Sequence, residues 1–183
     1  MGYQITESFL NKEEIEITKK WLSKYDFLWK DFSTDKETKR KAFTGTFTKD
    51  NLPIQFKNFK TNKHNLYHIV AISTLKSGSI EPHIDSDFRD RLISEIPGSM
   101  VSFPQTVIYY FEIDENMKGG SLVINNVSIK PVKNSAITIE PKTSHSVTSI
   151  TETGKPRIAL VCERYFIRGN ILKNIKTPDY REG

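Results

Sequence analysis

The chain has 183 residues, a formal net charge of +5 and a pI near 9.2, with 37% apolar and 27% charged residues. That length fits one domain, and 11 phenylalanines with 7 tyrosines suffice for a hydrophobic core, which excludes wholesale disorder. A single cysteine, Cys162, excludes a disulfide-stapled secreted domain, and no apolar run reaches the ~20 residues of a membrane span. The start, MGYQITESFL, shows no basic region followed by an apolar stretch, so the expectation is a soluble cytoplasmic protein without a membrane partner. Its lysines (Lys12, Lys19, Lys20, Lys39, Lys57, Lys60, Lys63) are scattered among acids and asparagines, and the densest basic stretch, residues 36–41, contains Glu37. This reads as a solvated lysine-rich surface rather than the aromatic-studded stripe of a nucleic-acid binder.

The N-terminal quarter reads helical. Asn11 is placed to cap with Glu14 three residues on, and Leu10 to staple against Ile15. Ile15, Thr18, Trp21, Leu22 and Tyr25 recur at helical spacing, while Lys19, Lys20 and Lys24 face water. A polar, loop-like stretch is expected from Asp35 to about Lys63. From Leu66 the period changes to two. The segments LYHIVAISTL, SIEPHID, TVIYYFEI, SLVINNVSI, SAITIE, HSVTSIT and PRIALVCERYFI are rich in β-branched and aromatic residues. Turn signals at Ser77-Gly78, Gly119-Gly120, Pro131, Pro141 and Gly154 separate them. Seven or eight strands with no helix between them predict an antiparallel sandwich or barrel. Residues 86–104, with Phe88, Leu92, Ile93 and Ile96, interrupt the strands and are expected to form a loop or short helix, a candidate lid. The chain is therefore expected to be one domain: residues 1–63 as helical and loop support, 66–166 as the core, 167–183 as a tail.

Of the four histidines, His83 stands in Glu81-Pro82-His83-Ile84-Asp85. On a strand, residues i and i+2 point to one face, so His83 and Asp85 converge. His145 follows 60 residues beyond Asp85, at the start of a predicted strand, placed to add a third ligand from a neighbour. Two imidazoles and one carboxylate on one face of a metal leave open positions, the facial arrangement of non-haem Fe(II) oxygenases. A surface His83–Asp85 pair is the plainer alternative. Arg157 enters the last apolar strand 12 residues after His145, and a buried guanidinium calls for an anion, with an ordinary edge-strand ion pair as the alternative. Lys155 offers a second cation two residues earlier. His64 and His68 carry no partner pattern and read as structural or surface residues.

In order, His83-x-Asp85, the strand Ile108-Tyr109-Tyr110-Phe111-Glu112, Gly119-Gly120-Ser121-Leu122, Ile129-x-Pro131, His145-Ser146-Val147 and Arg157 resemble the 2-oxoglutarate- and Fe(II)-dependent dioxygenases, in their prolyl-hydroxylase-like branch. The resemblance covers residues 66–166 and implies a mainly β fold, the double-stranded β-helix or jelly roll, preceded by a helical segment. It implies that His83, Asp85 and His145 ligate Fe(II), that Arg157 clamps the distal carboxylate of 2-oxoglutarate, and that Tyr110 hydrogen-bonds that carboxylate. Alternation places Thr106, Ile108 and Tyr110 on one face, with core packing the alternative for Tyr109 and Tyr110.

The implied activity consumes 2-oxoglutarate and O2, with ascorbate stimulating, and hydroxylates an unactivated C–H of an amino acid, a peptidyl residue (proline among them) or a small metabolite, releasing succinate and CO2. Asp85 favours hydroxylation, because related halogenases lack this carboxylate. Where relatives often carry a tyrosine on the strand before His83, this chain reads Ile72-Ser73-Thr74-Leu75. A nucleic-acid demethylase of the same chemistry would carry two arginines separated by five residues on the last strand. Here six residues separate Arg157 from Arg164, which turns Arg164 to the opposite face. A non-catalytic cupin-like metal-binding module is the reading from another class, and a zinc hydrolase with the same ligands a further one.

Overall fold

The computed structural model describes residues 2–24, 30–31, 39–77, 79–96, 100–168 and 172, with the backbone alone at 30–31 and 39–41. In chain order the elements are β1 (Tyr3–Thr6), α1 (Lys12–Lys24), β2 (Lys30–Asp31), β3 (Lys39–Thr48), a 3-10 turn (Ile54–Phe59), β4 (Leu66–Lys76), β5 (Ile80–His83) and α2 (Asp87–Glu95). There follow β6 (Met100–Val101), β7 (Gln105–Glu112), β8 (Lys118–Gly119), β9 (Leu122–Ile124), β10 (Val127–Ile129) and β11 (Ser135–Ile139). The last are β12 (His145–Val147), β13 (Ile150–Glu152), β14 (Arg157–Tyr165) and β15 (Ile167–Arg168). A seven-stranded major sheet, β1-β11-β7-β14-β4-β3-β2, faces a four-stranded minor sheet, β10-β9-β12-β5. The long pairings are antiparallel, and this is the jelly roll.

The two faces of the major sheet carry different cores. On the outer face Phe43, Phe47, Tyr67, Ile69, Val107, Tyr109 and Leu160 pack under α1 and the 3-10 turn. Helix α1 starts where expected: Asn11 Oδ1 accepts the Glu14 N–H at 3.0 Å, and Glu14 Oε2 accepts the Asn11 N–H at 2.9 Å, a reciprocal capping box. Its buried stripe is Thr18, Trp21 and Leu22. Trp21 meets Phe43 at 4.9 Å and Phe56 edge-on at 4.8 Å. On the inner face Ile108, Tyr110, Ile137, Ile139 and Ala159 meet Leu122, Ile124 and Ile150, filling the space between the sheets. The alternation read along β7 therefore holds, with Tyr109 outside and Tyr110 inside.

Three expectations need correction. Of the stretch from Asp35 to about Lys63, the described residues 39–63 are not one loop: β3 runs for ten residues along β4, and the 3-10 turn follows. Buried Phe43 and Phe47 alternate with threonines there, a two-residue period hidden behind the charged start of the strand. The N-terminus is not only helical, since β1 pairs with β11 at the sheet edge. SLVINNVSI is a hairpin, β9–β10, turning through Asn125 and Asn126 at φ of 50° and 64°, conformations that asparagine tolerates. Residues 86–104 contain a short helix as expected: α2 is docked by Phe88 and Leu92 against Leu66, Val101, Tyr165 and Ile167. Tyr25 lies outside the described residues, as do the side chains of the basic stretch 36–41.

Phe56 is fully buried between Trp21, Phe47 and Phe59 and joins the turn to the outer core. Phe56→Ala is expected to cost about 3–5 kcal/mol, the range for aromatic-to-alanine truncation in a core, read as a lowered midpoint in urea unfolding followed by tryptophan fluorescence.

Candidate metal and cosubstrate site

His83 is the last residue of β5 and His145 the first of β12, and the strand pairing sets them directly opposite one another. Their rings lie 4.4 Å apart between centroids. Asp85, two residues past the end of β5, turns its carboxylate between them: Oδ1 is 3.4 Å from His83 Nε2, and Oδ2 is 3.7 Å from His145 Nε2. One ligand atom from each of the three lies within 4.8 Å of the others. Of the described residues these form the one group of three or more His, Cys, Asp or Glu side chains gathered closely enough for a metal ion.

The ring orientations suit ligation. His83 Nδ1 lies 2.9 Å from the Glu81 carbonyl oxygen and His145 Nδ1 3.3 Å from that of Thr143. A carbonyl accepts only, so both rings donate through Nδ1 and present Nε2 to the shared centre. Burial holds the His145 imidazole below its ordinary pKa against the pull of Asp85, which keeps it neutral and available as a ligand. His83, hydrogen-bonded to Asp85, titrates above the usual value. Burial alone would raise Asp85, yet hydrogen bonds from His83 and Thr106 and the nearby imidazoles hold it below the ordinary carboxylate range. The Thr106 hydroxyl donates to Asp85 Oδ2 at 2.6 Å.

Arg157 opens β14 and is only 7% exposed. Its Nη1 donates to the Gly120 carbonyl at 3.1 Å. Gly120 sits at a φ of +69°, and a Cβ there would come within 3.3 Å of that same nitrogen, so the glycine makes room for the guanidinium. Tyr110 is buried on the adjacent strand, where Ala159 of β14 is its partner. Burial pushes its phenol up to about 12 against the influence of Arg157, so it stays protonated as a donor. Lys155, by contrast, lies before the strand with its side chain 55% exposed, bound to Glu112 at 3.1 Å beside Lys133.

The sequence reading passed over three polar residues on the inner face. Thr74 of β4 is the partner of Arg157, fully buried, and its hydroxyl has no hydrogen-bond partner among the described residues. Thr106, already placed on the Tyr110 face, proves to be the residue that holds Asp85. Glu163 lies on β14 six residues beyond Arg157, on the same strand face, and accepts a hydrogen bond from the Tyr165 hydroxyl at Oε2. The legible signal for Glu163 was an acid in phase with Arg157 inside an otherwise apolar strand. His68 faces it from β4, a structural residue, one of the two readings given to it. Arg164 points the other way, as its phase required, and donates to Gln105 at 3.2 Å.

No protein-family model matches the sequence, and no curated protein matches it. Solved structures do match. A prolyl-4-hydroxylase from Pseudomonas putida superposes with a TM-score of 0.61 at 12% identity, covering 92% of this chain and 94% of that one. A 2OG-Fe(II) oxygenase family oxidoreductase from Burkholderia pseudomallei gives 0.54 at 14% identity, over 90% and 85%. SnoK, a non-heme α-ketoglutarate-dependent carbocyclase from nogalamycin biosynthesis, gives 0.60 at 10% identity, over 100% and 89%. The chain has the fold of the 2-oxoglutarate/Fe(II) oxygenases. The resemblance read from the motifs and the architecture built from the strands thus agree.

Thr106→Val keeps the shape of the side chain and removes the hydroxyl that orients Asp85. Affinity for Mn(II) or Fe(II), titrated anaerobically by calorimetry, is expected to fall about 10- to 100-fold, with the far-ultraviolet circular dichroism unchanged. Glu163 supplies a second check. Burial raises its carboxyl from 4.5 to about 7, so the folded state favours the protonated form. Its contribution to stability is intact below pH 4.5, declines as pH rises to about 7 and stays low above that. In the metal-free protein Glu163→Gln is therefore expected to be more stable than wild type at pH 8, by about 2 kcal/mol, with the gap closing toward pH 5 in urea titrations.

Proposed function

We propose that this chain is an Fe(II)- and 2-oxoglutarate-dependent dioxygenase that hydroxylates an unactivated C–H bond, acting as one domain in the cytoplasm. The observation that carries this reading is the convergence of the His83, Asp85 and His145 ligand atoms at one end of a jelly roll whose inner wall also buries Arg157. Overall the reaction converts substrate, 2-oxoglutarate and O2 into hydroxylated substrate, succinate and CO2.

The donor set fits the metal. His83 and His145 would ligate through Nε2 and Asp85 through a carboxylate oxygen, filling one face and leaving the other for cosubstrate and O2. Bound Fe(II) would supply the activation of O2. Thr106 keeps Asp85 aimed and ionised, and the Glu81 and Thr143 carbonyls hold the two imidazoles in the ligating tautomer.

The wall beside the metal fits a dicarboxylate. Arg157 would pair with its distal carboxylate, in a buried setting where a charge-assisted bond is strong. Tyr110, protonated at neutral pH, would donate to the same group, and so would the Thr74 hydroxyl, whose lack of a partner is then explained. Thr74 would thus serve where relatives carry a tyrosine. Lys155 is engaged with Glu112 at the surface, which favours Arg157 as the clamp. The buried arginine weighs against a plain cupin-like metal module or a zinc hydrolase, for which it would have no carboxylate to hold. The outward turn of Arg164 weighs against the demethylase.

The substrate classes carried forward are a free amino acid, a peptidyl residue or a small metabolite; the prolyl-4-hydroxylase likeness keeps proline among them. No described helix is long and apolar enough to cross a membrane. The lone cysteine is buried, its thiol pushed up to about 12 by burial, consistent with a protein that does not use disulfides.

The test is succinate formation from 2-oxoglutarate with Fe(II) and ascorbate, comparing wild type with His83→Ala and Arg157→Ala. Substrate-independent turnover is expected in wild type and should drop about 10- to 100-fold or more in each variant, the scale for losing a metal ligand or a buried charged bond. Loss in His83→Ala alone would transfer the clamp to Lys155. Absence of turnover together with absence of the Fe(II)–2-oxoglutarate absorption band would overturn the oxygenase reading.

A further inference from the structure

Across the inner face of the major sheet, the registers of β3, β4, β14 and β7 line up Thr46, His68, Glu163 and Thr106 in one row. Thr106 ends that row on Asp85 through its 2.6 Å hydrogen bond. Glu163 therefore stands abreast of the metal-ligand carboxylate, on the side of the site away from the Arg157 end of β14. Beyond it, His68 stacks on Phe88 of α2 with centroids 4.1 Å apart and planes within 11°, while Thr46 fixes His68 Nδ1 at 3.0 Å. Burial pulls His68 down to about 4, so the ring is neutral and flat against Phe88.

Burial and the like charges of Asp85 and Asp87 raise Glu163, against the Tyr165 hydrogen bond and His83. Among the described residues it has no lysine or arginine partner; the nearby Arg91 lies over the Phe88 ring and 4.0 Å from Glu95. The Tyr165 hydroxyl binds Oε2 and leaves Oε1 uncommitted. A partly exposed carboxyl group without a lysine or arginine partner, in the row of the metal site, gives up its proton most readily to pair with a cationic ligand.

We propose that Glu163 is the substrate-recognition residue of this site, and that the substrate presents a protonated amine or guanidinium to its uncommitted Oε1. This rests on the dioxygenase reading above. It selects, among amino acids, peptidyl residues and metabolites, those with a basic side chain, and it makes the Glu163–cation pair the contact that holds the target C–H beside the metal.

The experiment uses the full chain loaded anaerobically with Fe(II) and 2-oxoglutarate, whose absorption band is recorded first for wild type and for Glu163→Gln. The variant keeps an acceptor for Tyr165 and loses only the charge. L-arginine is then titrated against its neutral isostere L-citrulline, and L-lysine against L-norleucine, by calorimetry. In wild type at least one cation is expected to bind about tenfold or more tightly than its neutral partner, and Glu163→Gln should bring the pair within about twofold, the loss of one charge-assisted contact. The proposal is overturned if the neutral partners bind as tightly as the cations, if the preference survives in Glu163→Gln, or if the loaded protein binds neither cation saturably. A missing absorption band would instead sink the dioxygenase reading on which it rests, so the two failures are told apart.

Discussion

Pairing of β12 with both of its neighbours in the minor sheet governs everything chemical in this molecule. His145 meets His83 only because β12 lies antiparallel to β5 in that register, and a slip of one residue would turn His145 to the opposite face. The other edge of β12 pins the register: His145 and Val147 pair with Ile124 and Leu122, and both of those side chains are fully buried against the major sheet. Burying two such aliphatic side chains contributes roughly 3–6 kcal/mol, far more than any single hydrogen bond at the site. A bulge between His145 and Val147 on the β5 side absorbs the mismatch, so the constraint from β9 does not compromise the histidine pair. The hydrophobic effect thus sets the position of polar groups that contribute little to stability themselves.

The inner face of the major sheet spends part of that stability. Arg157, Glu163, Thr74 and Thr106 are polar groups on a wall that apolar side chains would fill at lower cost. Their distribution is not random along the strands. Between the Arg157 row and the Glu163 row of β14 lie only Ala159 and Val161, packed with Ile108, Tyr110 and Ile137. The apolar middle separates Arg157 from Glu163, so the two do not pair with each other along the strand face. If the proposed cosubstrate and a cationic substrate bind at these two ends, that separation keeps Arg157 and Glu163 from pairing with each other first.

Much of this was legible in the sequence, and the limits have physical causes. The His83, Asp85 and His145 cluster could be read because its signal is local, His-x-Asp at a strand end, with one later histidine opening another strand. Arg157 and Tyr110 were legible through phase, since alternation along β14 and β7 fixes which face each residue takes. Strand β3 was missed because its first three residues are basic and its apolar residues are thinned by Thr44, Gly45 and Thr46, so composition outweighed period. Thr74 and Glu163 were missed for a different reason. Their roles depend on which residue stands opposite on a neighbouring strand, and register between strands is a long-range property that no local pattern encodes. Once β14 is laid beside β4 and β7, Thr74 falls opposite Arg157, and Glu163 falls between His68 and Thr106.

Fold similarity at 10–14% identity to the matched oxygenases follows from the same division. A jelly roll asks for alternation, turns at suitable intervals and complementary volumes between two sheets, and many sequences satisfy those demands. The chemical groups are few and sit where strands begin or end: His83 closes β5, Asp85 follows it by two residues, His145 opens β12 and Arg157 opens β14. Glu163 and His68 on one strand row and Phe88 on α2 stand outside the His83, Asp85 and His145 cluster and its register. A common architecture thus spans a hydroxylase and a carbocyclase among the matched structures, and fold alone does not choose a reaction or a substrate.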